Sequence, residues 1–242
     1  MFRNIQFTIN KRKVSFDFKG KQNIVVSGAN KLNLIYCLEM ILGKSFNTDI
    51  STKDSIYGIK YDDITDCMLT FNNDSVIVGK GSMVVSKGAV PKVHCIRYSS
   101  GGTIRSYVFS DELCNANIGL DLTKYSRVLS DTDWYRLCAL TNKFLGINVV
   151  DVKNEQLLFN FVDNYKYSVD VQKFVYLLFA ECMLTPTGFS RVLLLGDIQF
   201  LSNDDQIRLI GYLSSIRYHS CIISTINISL DEVTNNISLL SI

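Results

Sequence analysis

Residues 191–224 constrain the fold more than any other stretch. Arg191-Val192-Leu193-Leu194-Leu195 is a continuous apolar run ended by Gly196-Asp197, and Cys221-Ile222-Ile223-Ser224 is a second such run. Between them, residues 203–216 place apolar side chains at helical spacing behind two acidic residues, where carboxylates favour a helix start. A strand buried on both faces lacks the alternation of a half-wet strand, so strand–helix–strand with two such runs predicts parallel neighbours. The same logic extends upstream. Asn23-Ile24-Val25-Val26-Ser27 is an apolar strand closed by Gly28, and a helical pattern follows from Leu32 to Leu42, with Gly43 as its stop.

Three further features complete the pattern. Residues 132–146 read as a helix ending at Gly146, and residues 169–184 as a strongly apolar helix with Ser168 as N-cap. The segment VVDVKNEQLLFNFVD between them predicts a hairpin. Residues 1–19 predict two short strands with Lys11-Arg12-Lys13 near their turn, and residues 56–110 alternate repeatedly, as a β-rich lobe would. Residues 111–130 read as irregular. Ser99-Ser100-Gly101-Gly102 falls between two strand patterns and predicts a hairpin turn. Pro186-Thr187-Gly188 marks a turn before the 191–195 strand.

Composition excludes several classes. The seven cysteines are scattered and odd in number and never spaced C-x-x-C, which favours a reducing compartment over a disulfide framework. With His94 and His219 the only histidines, a Cys/His zinc site is not expected. A formal charge of +2 gives no global electrostatic case for nucleic acid or membrane. No apolar stretch approaches the length of a membrane span, and the start of the chain alternates like a strand, unlike a leader. A cytoplasmic location is therefore expected.

Four segments, in order, resemble the ATPase heads of the ABC/SMC/RecF group. NIVVSGANKLNLIYCLEMILG, 23–43, resembles the strand–P-loop–helix unit, with Lys31 at the position of the P-loop lysine. RVLLLGDIQFLSNDDQIRLIGYLSSI, 191–216, resembles the Walker B strand and its helix. Tyr167-Ser168-Val169-Asp170 occupies the place of the signature motif, and IISTINIS, 222–229, resembles the strand that ends in the switch histidine. The likeness implies a single 1–242 head of α/β class, a P-loop fold with a largely parallel central sheet and a β-rich lobe at 56–110. The signature-like helix would lead to the Walker-B-like strand over 168–216. No room remains for a long coiled-coil arm.

Each motif departs from the family pattern. Gly28 and Lys31 are three positions apart where the P-loop needs six, Leu32 replaces the Ser/Thr, and Asn33 follows it. Gly196 stands for the Walker B aspartate, Asp197 for the glutamate, the signature glycines are missing, and Ile226 or Asn227 stands for the histidine. A P-loop wraps phosphate in successive backbone N–H groups, so a shorter loop has fewer donors. Magnesium needs oxygen ligands in octahedral array, and neither Leu32 nor Gly196 supplies one. The vestigial pocket positions are Gly28, Asn30, Lys31, Asn33, Ser168 and Asp197, with no catalytic residue, no metal ligand and no cofactor, though the lysine leaves room for weak ATP binding.

The resemblance thus implies a pseudo-ATPase head acting as a scaffold or regulatory subunit in DNA maintenance, repair or phage defence. It would pair with itself or with an active ATPase-type or effector subunit. Two other expectations stand beside it: a DNA-binding module of degenerate P-loop type, with Lys11, Arg12 and Lys13 as weak nucleic-acid contacts, and an ATPase subunit completed by a partner chain.

Overall fold

A computed structural model of the chain describes residues 2–9, 11–17, 23–27, 64–71, 74–79, 82–87, 93–99, 103–110, 113–116, 129–184, 190–196, 198–216, 220–224 and 237–241. The expected helix at Leu32–Leu42, the Gly28–Lys31 turn, Asn33, the Pro186 turn, Asp197 and the 226–227 positions lie outside these residues.

The N-terminal strands β1 (Phe2–Ile9) and β2 (Arg12–Asp17) form an antiparallel hairpin. Lys11 takes φ 64° at its turn, in the left-handed region. Strands β4 (Ile64–Phe71), β5 (Asp74–Gly79) and β6 (Ser82–Lys87) continue that sheet in the order β2-β1-β4-β5-β6.

A seven-stranded sheet holds the remaining long pairings. It contains β3 (Asn23–Ser27), β7 (Val93–Ser99), β8 (Thr103–Ser110), β9 (Leu113–Ala116), β12 (Ser190–Leu195), β13 (Ser220–Ser224) and β14 (Ile237–Ser241). Their order is β14-β3-β13-β12-β7-β8-β9. Strand β12 pairs parallel with β13 and β7, and β3 pairs parallel with β13 and β14. The β7–β8 and β8–β9 pairs are antiparallel. Strands β7 and β8 pair in the register Ser99↔Thr103, and residues 100–102 of the expected turn lie outside the described residues.

Two expectations need correction here. The strands of residues 56–110 divide between the two sheets, because β4–β6 extend the N-terminal hairpin while β7 and β8 join β12. Alternation alone identifies a strand but not its neighbour. Residues 111–130 are not wholly irregular, since Leu113–Ala116 pairs with β8 at the sheet edge. Four residues are too few for a periodic signal.

Three helices carry the best-defined packing. Helix α1 spans Asp131–Leu145, α2 Val169–Met183 and α3 Asn203–Ile216. Ser130 caps α1, its hydroxyl accepting from the Asp133 N–H, and Gly146 ends it at φ 76°. Such a position suits glycine, which has no Cβ to clash. Asn142 then clips the helix to the hairpin of β10 (Val150–Lys153) and β11 (Gln156–Phe159). Its amide donates to Val150 O at 2.7 Å and accepts from the Val149 and Val150 N–H groups at 2.9 and 3.1 Å.

Helix α2 is buried along most of its length, from Phe174 to Met183, as the apolar run Phe174–Ala180 requires, and Glu181 is buried with it. It packs against α1, α3 and β8. Phe144 of α1 sits at the centre, edge-on to Phe179 and Tyr212 and stacked on Tyr167. Trp134 is buried in the same core, as a packing residue.

Candidate functional site

In open sheets of parallel strands, ligands favour the carboxyl edge, at the point where successive connections leave in opposite directions. The register places Ser241, Ser27, Ser224, Leu195 and Tyr98 toward one edge of the seven-stranded sheet. The sequence next returns to this sheet from β3 on the β7 side, and from β13 on the β14 side. The switch point therefore lies between β3 and β13. Strand β12 is one strand further, so the ends of β3 and β12 are about 10 Å apart.

Helix α2 runs antiparallel to β12, which brings Ser168 to the same end. Arg191 at the start of β12 donates to Cys182 O at the end of α2 (3.0 Å), while Phe174 near the start of α2 meets Phe200, beyond the end of β12, at 5.2 Å. Ser168 serves as N-cap. Its hydroxyl accepts from the Val171 N–H at 3.4 Å, and its φ and ψ of −60° and 159° are those of a capping residue.

At the carboxyl end of β12, Gly196 is buried and its N–H donates to Tyr98 O at 3.0 Å, prolonging the ladder with β7. It has no side-chain oxygen to offer a metal. Tyr98, Phe174 and Phe200 form an aromatic cluster just beyond it, with ring centroids 4.5 to 5.9 Å apart. Phe200 remains 45% exposed there. Among the described residues, no group of three or more His, Cys, Asp or Glu is placed to hold a metal ion.

A charged cluster beside this edge was not legible as a unit in the sequence. Asp205, in the first turn of α3, accepts from Tyr167 Oη at 2.7 Å and from Lys166 Nζ at 3.2 Å, and pairs with Arg208 at 3.1 Å. Ser202 Oγ donates to its other oxygen at 2.8 Å and accepts from the Asp205 N–H at 3.3 Å, a cap for α3. Arg208 also donates to Phe144 O at 2.6 Å and lies over the Phe144 ring. Burial disfavours the Asp205 carboxylate, but hydrogen bonds from Tyr167, Lys166 and Ser202, with the charge of Lys166, outweigh it and hold the pKa below its ordinary value. The acid at a helix start was the available sequence signal. Its partners on the 160–168 connection were not, since they lie about forty residues away in the chain.

That connection is itself fixed by buried Gln172. Its amide donates to Val162 O and Tyr167 O, both at 2.8 Å, and accepts from the Val162 N–H at 3.1 Å. Chemically the cluster is a joint: both cations and the phenol are engaged with the carboxylate. Cys138 and Cys182 are no more reactive. Burial, then the charge of Asp151, pushes the Cys138 thiol up to about 11, and burial raises Cys182 to about 11 as well. Both are thiols at neutral pH.

Lys11 and Lys13 are exposed at the β1–β2 hairpin, where Lys13 pairs across the strands with Thr8 and Arg12 with Ile9. Among the described residues no helix is long and apolar enough to cross a membrane. No protein-family model matches the chain, and no curated protein matches it.

Proposed function

We propose that the chain is a catalytically degenerate ATPase head of ABC/SMC/RecF type, a scaffold or regulatory subunit of a cytoplasmic DNA-maintenance or defence complex. One observation carries it. The pairing order β14-β3-β13-β12-β7 sends the strands preceding the P-loop-like, Walker-B-like and switch-like segments to a common edge. Ser168 of the signature-like segment faces the same end through the antiparallel run of α2. The resemblance requires these segments to share an edge, and the parallel pairing of β3, β13 and β12 supplies that condition.

The degenerate half of the proposal draws on the same end. Gly196 lacks the carboxylate that would hold magnesium, and its N–H is spent on Tyr98 O. Ser168 is used as a cap. Phosphoryl transfer relies on metal, positive charge and an oriented water together, and loss of several cooperating groups leaves little rate. Lys31 can still attract phosphate as a point charge. Turnover of Mg²⁺-ATP by the purified chain is the test. We expect none above background. Turnover on the order of 1 s⁻¹, the lower range of ordinary enzymes, abolished by Lys31→Ala, would overturn the proposal. Binding without turnover would appear as a rise in Tm with ATP that Lys31→Ala removes.

A further inference from the structure

On the outer side of α1 and α3 lies an open groove of about 400 Å³, lined by Leu140, Lys143, Arg208, Gly211, Tyr212 and Ser215. Leu140 and Tyr212 are partly buried and make its apolar floor. The cations Lys143 and Arg208 stand at its sides, and none of the six is acidic. Lys143 makes no ion pair among the described residues. Arg208 and Lys166 share the single carboxylate of Asp205, so positive charge remains in excess there as well.

Gly211 is the second, independent observation. It sits within α3, where glycine is about 1 kcal/mol worse than alanine. It does not need positive φ, which among the described glycines belongs to Gly146 alone. Nor does the fold need the space: a Cβ added at Gly211 would meet no heavy atom within 4 Å. The missing side chain leaves room for close approach of an outside backbone.

From these features we infer that the α1–α3 groove is a docking site for an acidic amphipathic segment of a partner protein. An apolar side chain of that segment fills the space over Leu140 and Tyr212, its backbone passes close to Gly211, and its carboxylates meet Lys143 and Arg208. A groove of this size admits one or two such anchors. Charge argues against a second copy of this chain on the same face. A two-fold contact through this face would oppose one cationic groove to another, and like charges across an interface are unfavourable. The groove shares Arg208 with the Asp205 cluster, and the inference does not depend on the ATPase-head proposal.

The test uses a random-peptide phage library panned on the full chain, with counterselection on Gly211→Trp. We expect enriched peptides that carry Leu or Phe flanked by Asp or Glu. Synthetic versions should bind in fluorescence anisotropy at least about tenfold more weakly to Gly211→Trp, the scale of a lost interface anchor. Lys143→Glu, an exposed change that leaves the core untouched, should weaken the acidic peptides and favour their Lys-substituted counterparts. Far-UV circular dichroism establishes that each variant is folded. If Gly211→Trp does not fold, Lys143→Glu alone decides. No enrichment, or peptides indifferent to both changes, overturns the inference. So does a concentration-dependent dimer in analytical ultracentrifugation that Gly211→Trp abolishes, since a second copy would then be the occupant.

Discussion

The two ends of β12 are built from opposite chemistry. At the amino end Arg191 is almost completely buried and donates to Cys182 O at 3.0 Å and Leu213 O at 2.9 Å. It thereby ties the last turn of α2 to the last turn of α3, satisfying carbonyls that helix ends leave unpartnered. At the carboxyl end Leu195, Gly196 and Ile198 are buried and uncharged, and the charged groups described beside them, Lys166, Asp205 and Arg208, are paired through Asp205. A working phosphate site would collect its ionic groups at the carboxyl end, where ligands bind. Here the desolvated cation on this strand serves packing at the far end. At its amino end the strand is a structural staple.

The largest effect should come from breaking the staple. Arg191→Met keeps the apolar stem but leaves Cys182 O and Leu213 O without these donors. We expect a loss of about 3 kcal/mol, read as a lower urea midpoint at unchanged m. A loss below about 1 kcal/mol would mean that the amino end is not held by this residue and would erase the contrast.

Next comes the joint beside the carboxyl end. Tyr167→Phe removes the donor to Asp205 and should cost about 1–2 kcal/mol. The pH dependence has a definite sign. Because the Asp205 pKa is depressed on folding, its stabilisation is present above the unfolded value near 3.8 and is lost as pH falls through the lower folded value. The stability gap between the native chain and Asp205→Asn should therefore hold at neutral pH and shrink in acid below 3.8. A gap that widens in acid would show the network to be read in the wrong direction.

Ser168→Ala sharpens the comparison from the ligand side. As a pure cap it should lose about 1 kcal/mol of stability with no change in any ATP-induced shift of Tm. Loss of an ATP response with unchanged stability would restore to Ser168 the phosphate-facing role implied by the family resemblance. The smallest effect is a gain. Gly211→Ala fills open space within a helix and should stabilise by about 0.5–1 kcal/mol in thermal unfolding. A destabilisation would mean that the glycine answers an intrachain need.

Much of the secondary structure was legible because its causes are local. The Ser168 cap, the Gly146 stop, the 3.6-residue period of 203–216 and the apolar run Phe174–Ala180 of α2 all act within a turn or two of helix. The candidate pocket was legible only as spaced motifs. Of its six positions only Ser168 falls among the described residues, and there it is a cap. The joint of Lys166, Tyr167, Asp205 and Arg208 joins groups far apart in sequence, and no pattern marks Arg191 as buried, since arginine is so seldom fully enclosed.

The sequence by itself marked the three described helices and most of the described strands, because hydrogen bonds and rotamers within a few residues govern those choices. Only the tertiary structure decided which strands are neighbours. It separated β4–β6 from β7–β8, gave Leu113–Ala116 a partner, and placed β13 between β3 and β12. A strand presents the same row of donors and acceptors to any partner, so its neighbour is chosen by long-range packing that no local period records. The same holds for Arg191. Its charge is written in the chain, but its burial and two carbonyl partners exist only once α2, β12 and α3 have come together.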